Sequence, residues 1–143
     1  SSDVCSSDLL VVTDRGVLEQ DQSGRWAVTF YPGETRPDLR ATASVTGEGR
    51  LYIGLSNGSI FAYADRAASK IASIAGRVRT LSWDQTLWIS GENMIYQLPS
   101  SGGTPVVVGG PFPAGILSMQ PVVSRAAALV VTMDGVRTVG LPR

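Results

Sequence analysis

A repeated pattern constrains the fold of this chain more than any other feature. An apolar triplet, a polar turn and a second apolar strand occur four times. The triplets are Leu10-Val11-Val12, Leu51-Tyr52-Ile53, Leu87-Trp88-Ile89 and Leu129-Val130-Val131. They recur at intervals of about 40 residues, a period typical of repeat architectures. The sequence therefore predicts a series of similar supersecondary units.

Turn-forming residues follow every triplet. They are Asp14-Arg15-Gly16, Asn57-Gly58, Glu92-Asn93 and Asp134-Gly135. Because Gly and Asn tolerate the positive φ of tight turns, each repeat is predicted to contain a β-hairpin. The returning strands are predicted at residues 17–20, 60–63, 95–98 and 136–139.

Further strand-like runs lie between these hairpins. They cover residues 26–30, 41–45, 70–74, 78–81, 106–108 and 116–119. Four strands in a repeat of about 40 residues are typical of a β-propeller blade. The prediction is an all-β chain in which residues 10–143 form a partial β-propeller of about three to four four-stranded antiparallel blades. A β-sandwich is the alternative.

The frequent Gly and Pro residues nearly exclude helices. The chain contains 16 Gly and 8 Pro, and the best helical window, from Asp65 to Lys70, is short. The alanine-rich stretch from Arg125 to Ala128 leads into a β-branched run and is predicted to be a turn followed by a strand.

Residues 1–9 are interpreted as a translated sequencing-library adaptor. Ser1-Ser2-Asp3-Val4 is nearly repeated as Ser6-Ser7-Asp8-Leu9 around Cys5. On this interpretation the sequence is a metagenomic fragment of a longer reading frame, and Cys5 is neither a metal ligand nor a lipidation site.

Composition excludes several classes of function. Lys+Arg and Asp+Glu are equal at 12 each, so no long-range field favours nucleic acid. Without any histidine, the chain lacks Ser-His-Asp and Cys-His nucleophiles and the usual zinc and haem ligand sets. No apolar run reaches the roughly 20 residues of a transmembrane helix. We therefore predict no catalytic, cofactor-binding or metal site, and a protein that is not an enzyme.

Two groups of charged residues are candidates for a site. Glu34, Asp38 and Glu48 lie in predicted loops, where two carboxylates can face each other as in a glycosidase. Arg77 and Arg79 flank Val78 and offer contacts to an acidic partner or a base. The favoured interpretation is that both groups are solvated, since nothing in the sequence desolvates or pairs them.

The aromatic residues are predicted to pack between blades. Trp83-Asp84 matches the dipeptide of WD40 repeats, but it precedes a strand, whereas the WD40 pair closes one, and the companion Gly-His is absent. A WD40 assignment is therefore disfavoured. Blades stack through large side chains at matching positions, so packing is expected of Trp83, Trp88, Tyr52, Tyr96 and Phe61.

One stretch resembles a known family. The segment Leu81-Ser82-Trp83-Asp84-Gln85-Thr86-Leu87-Trp88-Ile89, followed by Ile95-Tyr96-Gln97-Leu98-Pro99 and Gly102-Gly103-Thr104-Pro105-Val106, is similar to the C-terminal propeller of the LpqB-family lipoproteins of actinobacteria. The motif residues, all with structural roles, are Ser82, Trp83, Asp84, Leu87, Trp88, Gly102, Gly103 and Pro105.

This resemblance implies an extracytoplasmic lipoprotein, membrane-anchored through a lipid on a missing N-terminal part. It implies a non-enzymatic interaction module that is accessory to an Mtr-type two-component sensor kinase in envelope homeostasis. The implied partner is a protein, the ectodomain of that kinase. Two alternatives stay open: a propeller enzyme, such as a lactonase or quinone-dependent dehydrogenase with its ligands in missing blades, and a cytoplasmic scaffold propeller.

Overall fold

The computed structural model describes residues 9–34, 36–99 and 103–142. In these residues the chain forms fourteen β-strands and two short 3-10 turns, Pro32–Glu34 and Val123–Arg125, with no α-helix. The strands are β1 Leu10–Thr13, β2 Gly16–Gln20, β3 Trp26–Phe30, β4 Ala41–Gly47, β5 Arg50–Leu55, β6 Ser59–Ala64, β7 Ala67–Ser73, β8 Thr80–Asp84, β9 Thr86–Ser90, β10 Ile95–Leu98, β11 Val106–Gly109, β12 Ile116–Val122, β13 Ala127–Thr132 and β14 Gly135–Gly140.

The described strands form four antiparallel sheets, each built from consecutive strands. The first sheet contains β1 to β3, the second β4 to β7, the third β8 to β11 and the fourth β12 to β14. The four predicted hairpins are confirmed as β1–β2, β5–β6, β9–β10 and β13–β14. Four predicted runs missed a strand boundary by two or more residues: 41–45 is Ala41–Gly47, 70–74 is Ala67–Ser73, 78–81 is Thr80–Asp84, and 116–119 is Ile116–Val122.

The hydrophobic core lies between successive sheets. One cluster joins Val17 of the first sheet to Ile53 of the second. The next joins Ile60 of the second sheet to Ile89 of the third, and another joins Trp88 of the third to Val130 of the fourth. A sandwich would bury a single layer between two sheets, whereas here each sheet covers its neighbour. The fold is a partial β-propeller, and each sheet is a blade.

The β5–β6 turn shows why the repeat has glycine in its hairpins. Gly58 has a φ of +94°, and a Cβ at this position would lie 2.2 Å from the carbonyl oxygen of Ile74. Asn57 Oδ1 accepts a hydrogen bond from the backbone N–H of Ser59 at 3.0 Å. Only glycine fits both the left-handed backbone and the close approach of the neighbouring chain.

The first and fourth sheets each leave one face uncovered by the described residues. In the first sheet Val28 pairs with Leu18, next to the buried Val17, so Val28 points away from the second sheet and is 61% exposed. On the fourth sheet Val136 is 66% exposed and Leu129 is also exposed. Apolar patches of this kind favour association.

We therefore expect the 143-residue chain to self-associate with increasing concentration. Light scattering after size exclusion should show a mass above 15.1 kDa that rises with loading. Replacing Val28 and Val136 together by Thr should lower that mass. A chain that stays monomeric at every concentration would contradict this expectation.

Candidate functional site

The Ser82-Trp83-Asp84 segment joins three sheets. Ser82 Oγ donates a hydrogen bond to the carbonyl of Met119 in the fourth sheet at 3.1 Å. Asp84 Oδ2 accepts one from the backbone N–H of Val123 at 2.9 Å, at the first residue of the second 3-10 turn. Trp83 points to the second sheet and stacks on Tyr52, with ring centroids 5.5 Å apart and planes at 9°. These contacts position neighbouring blades relative to each other.

The other aromatic residues also lie between sheets. Trp88 is 1% exposed in the cluster between the third and fourth sheets, and its Nε1 donates to the carbonyl oxygen of Asp84 at 3.0 Å. Phe61 meets Phe30 of the first sheet at a centroid distance of 5.0 Å. Tyr96 packs against the cluster between the second and third sheets. The structure thus places all of them where packing residues were expected.

The remaining motif residues have different positions. Leu87 is buried between the second and third sheets. Gly103 and Pro105 precede β11 and line a shallow cleft of about 350 Å³ beside β7. Gly102 lies outside the described residues.

The structure separates the carboxylates considered for a glycosidase. Glu34 and Asp38 lie in the connection that leads into β4, whereas Glu48 follows the end of that strand. Seven residues of extended chain span about 23 Å, so Glu48 cannot face either of the other two. Instead, Oδ1 of Asp38 lies 3.8 Å from Nε of Arg36 in an exposed ion pair. This arrangement agrees with the interpretation that these acids are solvated.

Arg77 and Arg79 also differ in environment. Arg77 is exposed, whereas Arg79 Nε donates to the carbonyl oxygen of Ile116 at 3.1 Å and lies 3.7 Å from Glu92. Arg79 therefore joins the third sheet to the fourth, and the prediction that it is solvated was wrong. In the part of the chain that the structure describes, no three His, Cys, Asp or Glu side chains come together in a way that would hold a metal ion. In that same part, no helix is long and apolar enough to cross a membrane.

A polar cluster around the buried Glu19 joins the first and second sheets. Glu19 of β2 is 5% exposed. Its Oε2 lies 2.8 Å from Nη1 of Arg66, and its Oε1 accepts a hydrogen bond from the Tyr63 hydroxyl at 2.9 Å. The same hydroxyl lies 2.5 Å from Thr29 Oγ1. Sequence reasoning missed this cluster, because Glu19 and Arg66 are 47 positions apart and nothing in the pattern pairs them.

Ionisation of Tyr63 at alkaline pH weakens the contribution of this cluster to stability. Burial raises the pKa of the Tyr63 phenol above its ordinary value of 10.0; the hydrogen bond with Thr29 opposes this rise and the Glu19 carboxylate adds to it. The fold thus favours the neutral phenol, so this contribution to stability is complete below about pH 10 and is lost as the pH rises through the raised pKa.

We expect the free energy of unfolding to fall more steeply above about pH 10 for the wild type than for Tyr63→Phe, which has no phenol to ionise at this position. Urea unfolding at several pH values on both proteins measures the difference. Parallel pH profiles would show that Tyr63 ionises as freely in the folded chain as in the unfolded one.

Two clefts open at one end of the propeller, which we call the cleft end. It is formed by the turns at Asp21–Arg25, Glu48–Gly49, Asp65–Arg66 and Gln85 and by the 3-10 turn Val123–Arg125. The first cleft, of about 740 Å³, lies between the first and second sheets above Glu19 and Tyr63. The second, of about 410 Å³, lies between the second and third sheets above Tyr52 and Leu87. Arg50 lines both.

The turns of the cleft end hold side chains in the left-handed backbone conformation. Among the described residues, the non-glycine residues with positive φ are Glu48, Asp65, Arg66, Gln85 and Ala126. All five lie at the cleft end, and the four polar ones line the two clefts. Glu48-Gly49 and Asp65-Arg66 are the central residues of two-residue hairpin turns, which require positive φ. Glycine, asparagine and aspartate adopt this conformation at the lowest cost, whereas other residues cost about 1–2 kcal/mol there. Glycine would relieve this strain, but it would remove the polar side chains from the clefts.

Comparisons with known proteins agree with the fold. No protein-family model matches the chain, and no curated protein matches it by sequence. Among solved structures, a chain in the crystal structure of the mitotic checkpoint complex superposes with a TM-score of 0.71 at 16% identity, over 92% of this chain and 42% of that one.

Two bacterial structures are also similar. The extracellular domain of the one component system BT4673 from B. thetaiotaomicron gives a TM-score of 0.65 at 16% identity, over 92% of this chain and 19% of that chain. PorZ, a bacterial surface component of the type-IX secretion system of Porphyromonas gingivalis, gives 0.62 at 16% identity, over 94% and 18%. This chain therefore spans less than half of each of these proteins. The likeness supports the all-β propeller architecture.

Proposed function

We propose that this chain is a non-enzymatic protein-interaction module of an extracytoplasmic regulatory protein, and that it binds its partner through the cleft end. The observation that carries the proposal is the set of four polar side chains held in left-handed turns around the two clefts. The hairpin turns require positive φ, but glycine would meet this requirement at lower cost, so the presence of polar side chains there supports a role in recognition.

We further propose that the partner is the extracytoplasmic part of a two-component sensor kinase, and that a lipid anchor upstream tethers the protein to the membrane. The resemblance of residues 81–106 to the LpqB-family propeller supports this part of the proposal. This chain shares its fold with the extracellular domain of a system described as one component or hybrid two component, and that likeness is compatible with the proposed partner.

The test is a binding measurement between this chain and the extracytoplasmic part of an Mtr-type sensor kinase. We expect saturable binding by biolayer interferometry, weakened at least about fivefold when Asp65 is replaced by Gly and Arg50 by Ala, two exposed side chains of the cleft end. As a matched control, Asn57→Asp changes a polar residue in a turn at the opposite end of the second sheet and should leave binding unchanged.

Two results would count against this proposal. If the kinase ectodomain does not bind, the assignment of the partner is wrong. If the ectodomain binds the wild type and the cleft-end variant equally well, the cleft end is not the binding surface.

A further inference from the structure

The second and third sheets show how one blade covers the next. The central residue of each apolar triplet faces the following sheet, since Tyr52 is buried between the second and third sheets and Trp88 between the third and fourth. The last residue of each triplet faces the preceding sheet, where Ile53 and Ile89 are fully buried. Each of these sheets thus has a forward face, which points to the following sheet, and a backward face, which points to the preceding one.

The fourth sheet leaves its forward face uncovered by the described residues. Val130 is buried against the third sheet, so its neighbours Leu129 and Val131 point to the opposite side, where Val131 pairs with Val136. Leu129 is 47% exposed, whereas the forward residues of the second and third sheets are buried. The forward face of the fourth sheet therefore lacks the cover that the inner sheets receive.

The first sheet leaves its backward face uncovered in the same way. Val12 packs toward the second sheet, so Val11 points away from it and pairs with Leu18, which pairs in turn with Val28. Val11 is 42% exposed, whereas the backward residues of the inner sheets are fully buried. The described residues thus leave one forward face and one backward face without a neighbour.

Neither uncovered face carries a charged strand residue. Glu19 and Arg137 are the only charged residues in the six strands of these two sheets. Glu19 binds Arg66 of the second sheet, and Arg137 pairs with the buried Val130, so both charged residues lie on covered faces. Packing the two uncovered faces together would therefore bury no unpaired charge.

A second copy of the chain offers each uncovered face a matching neighbour. Every core cluster between the described sheets joins the forward face of one sheet to the backward face of the next. Packing the fourth sheet of one copy on the first sheet of another repeats this arrangement. Packing two fourth sheets or two first sheets together would join like faces, which the chain does at none of its described contacts between sheets.

We propose that two copies of this chain associate head to tail, with the fourth sheet of each copy packed on the first sheet of the other. Contacts between unlike surfaces close into a ring when the rotation between copies allows it. Two copies supply eight sheets, within the four to eight blades that propellers contain. The dimer is a closed ring, and its two cleft ends lie on the same side because a rotation about the central channel relates the copies. This inference does not depend on the proposed partner.

Cross-linking tests which faces meet. Cys5→Ser removes the native thiol, and two variants in that background carry Leu129→Cys and Val11→Cys. A bismaleimide that spans about 10 Å, the separation of packed sheets, should link the two variants when they are mixed. Either variant alone should form at most about a tenth of the cross-linked dimer that the mixture forms, because unlike faces meet in a head-to-tail contact.

The strength of the contact is tested with Leu129→Asp, which places a charge in it. We expect the dimer dissociation constant to rise at least about tenfold. The matched control is Val107→Asp, since Val107 is 50% exposed in β11 of the third sheet, away from both uncovered faces, and it should leave this constant unchanged. Light scattering over a concentration series measures the constant, and the mass of the wild type should level off at twice 15.1 kDa. Far-ultraviolet circular dichroism should show the strand content of the wild type in both variants.

Four outcomes would overturn this inference. A chain that stays monomeric at every concentration, or one whose mass continues to rise beyond two copies, would exclude the closed dimer. Cross-linking of either cysteine variant with itself to the same extent as the mixture would mean that like faces meet. A dissociation constant that Leu129→Asp leaves unchanged would place the contact elsewhere on the chain.

Discussion

Replacing Trp88 by Ala is expected to destabilise the chain by about 3–5 kcal/mol, the range for removing a fully buried aromatic side chain. Trp88 is 1% exposed and packs in the same cluster as Ile95, Ile116 and Val130, so its loss opens a cavity between the third and fourth sheets. Because small domains are stable by about 5–15 kcal/mol, this is a large fraction of the total. Urea unfolding followed by circular dichroism measures the change.

Trp26→Ala is the matched control, since this tryptophan is 47% exposed on the first sheet. About half of its surface is covered, so we expect a loss of stability that is clearly smaller than that of Trp88→Ala. Equal losses for the two variants would contradict the position of Trp88 in the core between the blades.

Replacing Gly47 by Ala should disrupt the contact between the second and third sheets. The added Cβ would lie 2.1 Å from Cδ2 of Trp83, too close for any real contact. Because Trp83 also stacks on Tyr52, its ring has little freedom to move away. Overpacking of this kind costs about 1–3 kcal/mol or more. Near-ultraviolet circular dichroism should also change, as it reports the environment of Trp83.

Gly49→Ala controls for the effect of alanine in the same turn. Gly49 has a φ of +75°, but a Cβ added there would meet no heavy atom within 4 Å. Only the left-handed cost of about 1–2 kcal/mol is therefore expected, and the near-ultraviolet spectrum should not change. In a Trp83→Ala background the penalty of Gly47→Ala should largely disappear, since the clash partner is gone. A penalty that persists there would mean that Trp83 does not cover Gly47.

The hairpins could be predicted from the sequence because local chemistry determines them. Asn57-Gly58 lies between two apolar runs, and the structure forms the β5–β6 hairpin there. Strand boundaries were harder to predict where an apolar residue is buried without pairing in a sheet. Val78 is fully buried but lies in the connection before β8, where its N–H donates to the carbonyl oxygen of Leu55. An apolar residue in such a connection has the same sequence signature as one in a strand.

Much of the candidate site could not be predicted, because it depends on contacts between blades and on backbone conformation. Glu19 has the pattern of an ordinary polar strand residue, and only the fold brings Arg66 and Tyr63 to it. Left-handed turns are expected at Gly or Asn, so nothing in the sequence signals that Glu48 and Gln85 adopt this conformation. In contrast, the packing role of Trp83 and Trp88 could be predicted from their size and their place in the repeat.

The uncovered faces of the first and fourth sheets have a consequence for how the chain opens. The second and third sheets are covered on both sides, whereas each outer sheet has a single neighbour among the described residues. In repeat architectures stability is shared between adjacent units, so units with one neighbour open at lower free energy. Amide protons of β5 and β9 should therefore exchange with solvent deuterium most slowly, and those of β2 and β13 much sooner. Opening would then begin in the two outer blades and spread inward.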